Sequence, residues 1–248
     1  MGLITEAKWR VLGRVSAAGA LVGLVAAAGP HRAAARAADP APCALGDTVT
    51  GWRSLFDGKT TAGWRGYRAT AMPAAWHVSD GTLAKDGPTE DIVTTDQFAN
   101  FELDLEWKIG PAGNSGVFYR GTEEYNHIYW SAPEYQLLDD ARAPDGQSRL
   151  TAAGSDYALY PAPAGIVHDA NEWNATRLIV CGAHVEHWMN GRKLLEYELG
   201  SPDWEAKVKA SKFDAWPHYG RAPRGLIGIQ GDHAGPLAVR NIRIRVLP

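Results

Sequence analysis

The segment Glu134-Tyr-Gln-Leu-Leu-Asp-Asp140 holds the residues best suited to chemistry. Strand alternation puts Glu134, Gln136 and Leu138 on one face and Tyr135, Leu137 and Asp139 on the other. A carboxylate can take or give a proton, and a carboxamide two positions on can fix a hydroxyl. That pair is out of place in an apolar core and natural in a sugar site. Asp139, at the strand end, serves either as a further ligand contact or as a turn acceptor. Gln230-Gly231-Asp232-His233 follows the apolar run 226–229 and brings a second group. Histidine is the side chain that most readily exchanges protons near neutral pH. Asp232 is a weak candidate to orient it, because adjacent residues pair poorly. Arg120 closes the run Asn114-Ser-Gly-Val-Phe-Tyr-Arg120, and its planar fork suits hydroxyls, a ketone or a carboxylate. The glycines around Asn114 read as tight turns, with Asn114 capping its own turn.

Glu102, Asp104 and Glu106 stand at i, i+2 and i+4 on one face of the run 101–109. Carboxylates this close repel one another, and a pair flanking an open cleft is the arrangement of a glycosidase. The same spacing also fits a solvated face held by Lys108 and neighbouring arginines, with Glu106 the member best placed for function. Trp188 can stack on a sugar ring or pack in the core. His184 and His187 lie three apart, on opposite faces of a strand, and no His-Glu-x-x-His motif occurs, so no metal site is expected. Neither a Gly-x-Ser-x-Gly elbow nor a phosphate-binding glycine loop is present, so serine-hydrolase and nucleotide chemistry lack support. The formal charge of −3 argues against a nucleic-acid partner.

These residues need rigid strands to hold them. The chain has 248 residues, 27 of them Gly and 15 Pro, with turn signals at Asp57-Gly58, Asp80-Gly81, Asp86-Gly87, Asp145-Gly146 and Asn190-Gly191. Between the turns lie short alternating runs. Strands are expected over 101–109, 117–120, 135–138, 175–181, 185–190, 194–199, 226–230 and 239–246, with one short helix over 204–213. Many short strands without βαβ spacing indicate an all-β sandwich of two antiparallel sheets with a minor helix. One face of each strand then meets the core, and the other is free for polar chemistry.

Residues 1–37 read as a signal peptide. Lys8, Arg10 and Arg14 precede an apolar run over 15–29, and Ala35-Arg36-Ala37 fits a cleavage site. A retained membrane anchor is the alternative. Residues 38–48 read as a flexible arm and 49–248 as a single β-sandwich domain. A periplasmic or secreted protein is expected, touching membrane only for export. In such a compartment Cys43 and Cys181, the only cysteines, are able to pair.

Six segments together resemble a known family. They are Gly51-Trp-Arg-Ser-Leu-Phe-Asp-Gly58 with Gly63-Trp64, Asn114 to Arg120, Glu134 to Asp140, His187-Trp-Met-Asn-Gly191, Gly228-Ile-Gln-Gly-Asp-His-Ala-Gly235, and Arg240-Asn-Ile-Arg-Ile-Arg245. In this order they resemble the 3-keto-disaccharide hydrolase domain family over about Gly51 to Leu247. The resemblance implies a concanavalin- or laminarin-like jelly roll that acts on glycosides oxidised at C3. It implies Arg120 as a site arginine, Glu134 and Gln136 as a concave-face pair, Gln230 and His233 as a rim pair, and Glu106 as a further contact. Gly231 departs from the pattern by separating Gln230 from Asp232.

The chemistry expected of such a site follows from the ketone. It acidifies the C2 proton, which Glu134 removes; the C1 oxygen leaves with a proton from His233; Arg120 or Gln136 steadies the enolate; water then adds. No cofactor is needed, and a separate sugar 3-dehydrogenase must supply the ketone. Two other functions fit the residues. One is a retaining glucan glycosidase built on Glu102, Asp104 and Glu106. The other is a carbohydrate-binding domain without chemistry.

Overall fold

Alternation in β6 (Phe101–Ile109) sets the architecture. Phe101, Leu103, Leu105, Trp107 and Ile109 are buried, while Asp104, Glu106 and Lys108 stay partly exposed on the opposite face. In this computed structural model residues 51–248 are described; the expected leader 1–37, the arm 38–48 and Cys43 lie outside them. The strands in chain order are β1 (Arg53–Ser54), β2 (Trp64–Gly66), β3 (His77–Ser79), β4 (Thr82–Lys85), β5 (Ile92–Thr94), β6, β7 (Asn114–Gly121), β8 (Glu134–Leu138), β9 (Asn174–Cys181), β10 (His184–Met189), β11 (Arg192–Glu198), β12 (Leu226–Ile229) and β13 (Leu237–Val246). One sheet runs β11-β10-β9-β6-β13-β4-β3, with β1 also on β13, and the other runs β2-β5-β12-β7-β8. Every pairing is antiparallel. Trp107, Val117, Tyr119, Tyr135, Leu137, Ile229 and Val239 belong to the core cluster shared by the two sheets. The molecule is thus an all-β jelly-roll sandwich with one short helix.

Local chemistry explains the connections. Asn190 and Gly191 both take positive φ (49° and 77°), which lets a two-residue turn join β10 to β11. The helix α1 (Pro202–Lys209) starts earlier than expected. Ser201 caps it by accepting the Trp204 N–H at 3.2 Å, and Pro202 opens its first turn. Ser211 then caps a separate 3-10 turn, Lys212–Ala215, so the expected helix over 204–213 is two pieces. The short strands β2 to β5 carry no alternation long enough to read in the sequence.

Arg120 departs from the alternation of β7. Leu226 pairs with Gly121 and Gly228 with Phe118, so β7 carries an extra residue opposite β12. Arg120 takes φ 52° at this bulge, and the bulge re-aims its side chain. Its guanidinium donates to Ala99 O at 2.9 and 3.1 Å and to Gly182 O at 2.7 Å.

Candidate active site

Glu134 and Gln136 lie on the face of β8 turned away from the main core, opposite Phe118 and Gly116 of β7. Gly116 is in extended backbone, not a turn. Its missing side chain makes room: a Cβ there would sit 2.0 Å from Glu134 Oε1. Glu134 is only 5% exposed, yet with Gln136, Gln230 and His233 it lines a cavity of about 160 Å³. The remaining walls come from loops: Tyr129, Tyr157, Lys212 and Asp232, with Asn114 from the start of β7. Lys212 Nζ lies 4.4 Å from the centre of the Tyr157 ring.

Burial pushes the Glu134 carboxyl up to about 8; the charge of Lys212 opposes the shift, and those of Asp91, Asp232 and Asp156 add to it. The Oε1 atoms of Gln136 and Gln230 are buried and accept no hydrogen bond. Gln136 Nε2 donates to Asn114 Oδ1 at 3.3 Å, and Asn114 Nδ2 donates to Asp145 Oδ2 at 3.0 Å. Asn114 therefore braces Gln136 instead of capping its own turn. Two unfilled buried acceptors facing one small cavity ask for donor groups such as sugar hydroxyls.

His233 sits on the loop after β12 and is 46% exposed, with Nε2 3.7 Å from Asp232 Oδ1. Lys85, itself buried, reaches from β4 to hold this loop by donating to His233 O at 2.8 Å and Gly235 O at 3.2 Å. Gly231 shapes the start of the loop. Its N–H donates to Asp91 Oδ1 at 2.7 Å, its carbonyl accepts from Thr89 N–H at 2.9 Å, and a Cβ would meet Glu90 O at 2.4 Å.

The structure thus brings Glu134, Gln136, Gln230 and His233 together, and four other sequence candidates lie elsewhere. Arg120 is spent on the backbone carbonyls described above. Asp139 accepts from Ala112 N–H at 2.8 Å and from Arg142 Nη1 at 3.2 Å, so it clamps a loop. Glu106 and Trp188 line a different cavity, of about 660 Å³, on the outer face of the other sheet. There Trp188 Nε1 donates to Glu186 at 2.6 Å. Sequence reading gave no role to Lys212, which fell in the stretch expected as helix, and missed Tyr129, Tyr157 and Asp91, which stand on segments with no periodic signal. The extra Gly231 was the one local sign of Asp91.

The carboxylates of β6 form a compensated ladder. Glu102, 1% exposed, is held by Arg245 and by Arg177 at 3.1 Å. Asp104 meets Arg177 at 3.0 Å and Arg243 at 2.8 Å, and Glu106 meets Arg240 at 2.7 Å and Asn241 at 3.0 Å. Burial raises the Glu106 carboxyl, but the hydrogen bonds of Arg240 and Asn241 and the charges of Arg240 and Arg243 outweigh it, so it lies below its ordinary value. With all three carboxylates taken up by arginines and Asn241, the trio presents no free pair flanking an open cleft, which speaks against a glycosidase built on it. His184, Glu186 and Glu196 bring one ligand atom each within 4.8 Å of one another, but Lys193 already contacts both carboxylates, at 3.2 and 2.6 Å.

A two-sheet jelly roll with a buried carboxyl in a polar hollow is a β-sandwich with a site suited to a polar ligand such as a sugar. Residues 51–245 match the model of the 3-keto-alpha-glucoside-1,2-lyase-like domain, and the chain belongs to that family. A 3-keto-disaccharide hydrolase of Bacteroides thetaiotaomicron is 36% identical over 229 residues, covering 79% of each chain. A solved candidate glycosyl hydrolase of Parabacteroides distasonis is 33% identical, with a TM-score of 0.75 over 80% of this chain and 94% of that one. A second from the same organism is 29% identical, with a TM-score of 0.67 over 80% and 100%. A galectin-like protein of Bacillus subtilis, 13% identical with a TM-score of 0.53 over 81% and 97%, shares the fold alone.

Proposed function

We propose that this enzyme cleaves glycosides already oxidised to a ketone at C3, by elimination followed by hydration. The observation that carries the reading is Glu134: a buried carboxyl in a small polar cavity, ionising near 8 beside a lysine and two unfilled amide acceptors. A base whose affinity for protons lies close to working pH is effective at carbon acids. The C3 ketone makes C2–H such an acid. Glu134 takes that proton, the C2–H electrons form the C1=C2 bond, and the C1–O bond breaks. Charge gathers on the ketone oxygen as the proton leaves. Lys212, the cation of this cavity, replaces Arg120 as the group that steadies it. Gln136 and Gln230 accept from sugar hydroxyls. His233, expected from sequence to donate to the departing oxygen, stands at the exposed edge of the cavity. Water adding across C1=C2 completes the cleavage.

The step transfers no hydride, so a sugar 3-dehydrogenase acting earlier must make the ketone. Export to the periplasm or beyond belongs to the same reading. A disulfide at Cys181 supports it, since such bonds persist in oxidising compartments. The test compares one disaccharide in its 3-keto and unmodified forms. Products from the ketone alone are expected; equal cleavage of both forms, or none of either, would refute the reading.

A further inference from the structure

The departing half of a 3-keto-glycoside needs both a space and a proton, and the structure offers both beside the Glu134 cavity. A second cavity, of about 520 Å³, is lined by Tyr67, Glu90, Asp91, Asn126 and His127, and it shares Asp232 with the first. An aromatic pair joins the two: His127 of the second cavity stacks on Tyr129 of the first, with ring centres 5.0 Å apart. The Tyr67 hydroxyl donates to backbone carbonyls 122 or 125, at 2.9 and 2.8 Å, so that wall is fixed.

Asp91 stands directly before β5, buried within this second cavity. Gly231 N–H holds its Oδ1, and the close packing of Gly231 on Thr89 and Glu90 ties the end of β12 to the segment that carries it. A side chain at 231 would break that docking, which explains why the residue separating Gln230 from Asp232 is a glycine. Asp91 and Glu134 are near enough that the charge of one raises the other.

We propose that Asp91 is a catalytic residue that protonates the glycosidic oxygen, and that the second cavity receives the leaving sugar or other polar aglycone. The proposal rests on the reading of the site as a 3-keto-glycoside-cleaving centre. The step balances. Glu134 carboxylate takes the C2 proton, the C1–O electrons leave with the oxygen, and that oxygen takes the Asp91 proton to become an alcohol. In hydration, Asp91 carboxylate takes a proton from water as its oxygen bonds C1, and Glu134 returns a proton to C2. Both groups end as they began.

Burial pushes Asp91 up to about 7, with the Gly231 hydrogen bond opposing the shift and the Asp232 charge adding to it, so a protonated form is available at neutrality. His233 does not line the second cavity and is nearly half exposed.

The test uses leaving groups of different acidity. A sugar alcohol needs protonation to depart; a nitrophenolate does not. For Asp91→Asn, kcat/KM on a 3-keto-disaccharide is expected to fall at least about 10²-fold, while the 3-keto nitrophenyl glycoside stays within about tenfold of wild type. His233→Gln should show no such split. Equal losses on both substrates for Asp91→Asn, or the split appearing in His233→Gln instead, would overturn the assignment. A wild-type series of 3-keto aryl glycosides gives a second measurement that does not depend on the variant folding. Rates nearly independent of leaving-group acidity are expected with the acid in place; a steep dependence contradicts it. Wild-type enzyme that turned over neither substrate would instead remove the underlying reading.

Discussion

The outer faces of the two sheets hold carboxyl groups in opposite electrostatic states. On the eight-stranded sheet, Glu102, Asp104 and Glu106 alternate along β6 between arginines of β9 and β13. On the five-stranded sheet, Glu134 and Asp91 are buried close to Asp232 and Asp156, and Lys212 is the charge that opposes them at Glu134. The first arrangement pairs every carboxylate with arginine. The second leaves charge under-compensated, so its protons are held loosely around pH 7 to 8. Cavity size does not follow this contrast: the 660 Å³ trough lies over the compensated ladder, and the 160 Å³ hollow holds the carboxyl that burial raises. What sets this face apart is a pair of buried acids that burial raises despite the opposing charges of Lys212 at Glu134 and Lys85 at Asp91.

Substitutions across the two faces should break that contrast or sharpen it. Glu134→Gln is expected to lower kcat/KM on a 3-keto-disaccharide by about 10²–10⁴-fold, whereas Glu106→Gln leaves it unchanged. Lys212→Met should cost about 10²-fold in kcat, as for loss of an oxyanion partner. It should also move the alkaline rise in rate to higher pH, because the lysine charge lowers the Glu134 carboxyl. Glu134→Gln is also expected to raise the thermal midpoint. A carboxyl raised to about 8 in the folded state is ionised in the unfolded chain above its ordinary 4.5, so it destabilises the fold increasingly between those values. The gain in melting temperature should therefore be larger at pH near 8.5 than near 5. Arg120→Met leaves the carbonyls of Ala99 and Gly182 without their donor and should cost about 1–3 kcal/mol in denaturant unfolding, with kcat of the folded enzyme unchanged. The smallest effect is on the ladder: Glu106→Gln should cost under about 1 kcal/mol and fade with added salt.

Regular strands made part of this site legible. Alternation through β8 put Glu134 and Gln136 on one face, and the face turned out to be a walled hollow because Tyr129, Tyr157 and Lys212 line it from other segments. Alternation failed at Arg120, where one extra residue in β7 re-aims the side chain, and nothing in the local sequence announces a bulge. It misled at Glu106 and Trp188, because residues sharing the polar side of a strand need not share a sheet. Lys212, Tyr157 and Asp91 come from irregular segments, where position follows from tertiary docking. The glycines were the underused signal. Gly116 and Gly231 mark points where another group, the Glu134 carboxyl in one case and the backbone of Glu90 in the other, occupies the space of a side chain.

The central claim is removal of the C2 proton by Glu134, and the most direct measurement is cleavage of a 3-keto-disaccharide in heavy water, followed by NMR of the keto sugar released. Solvent deuterium should enter C2 of the wild-type product to the extent that the proton taken by Glu134 exchanges before it is returned, above the exchange of an enzyme-free control; a C2-deuterio substrate should react more slowly than the protio form, and Glu134→Gln should release almost none of this product. Product that keeps the original hydrogen at C2, together with equal rates for C2-protio and C2-deuterio substrates, would contradict the account.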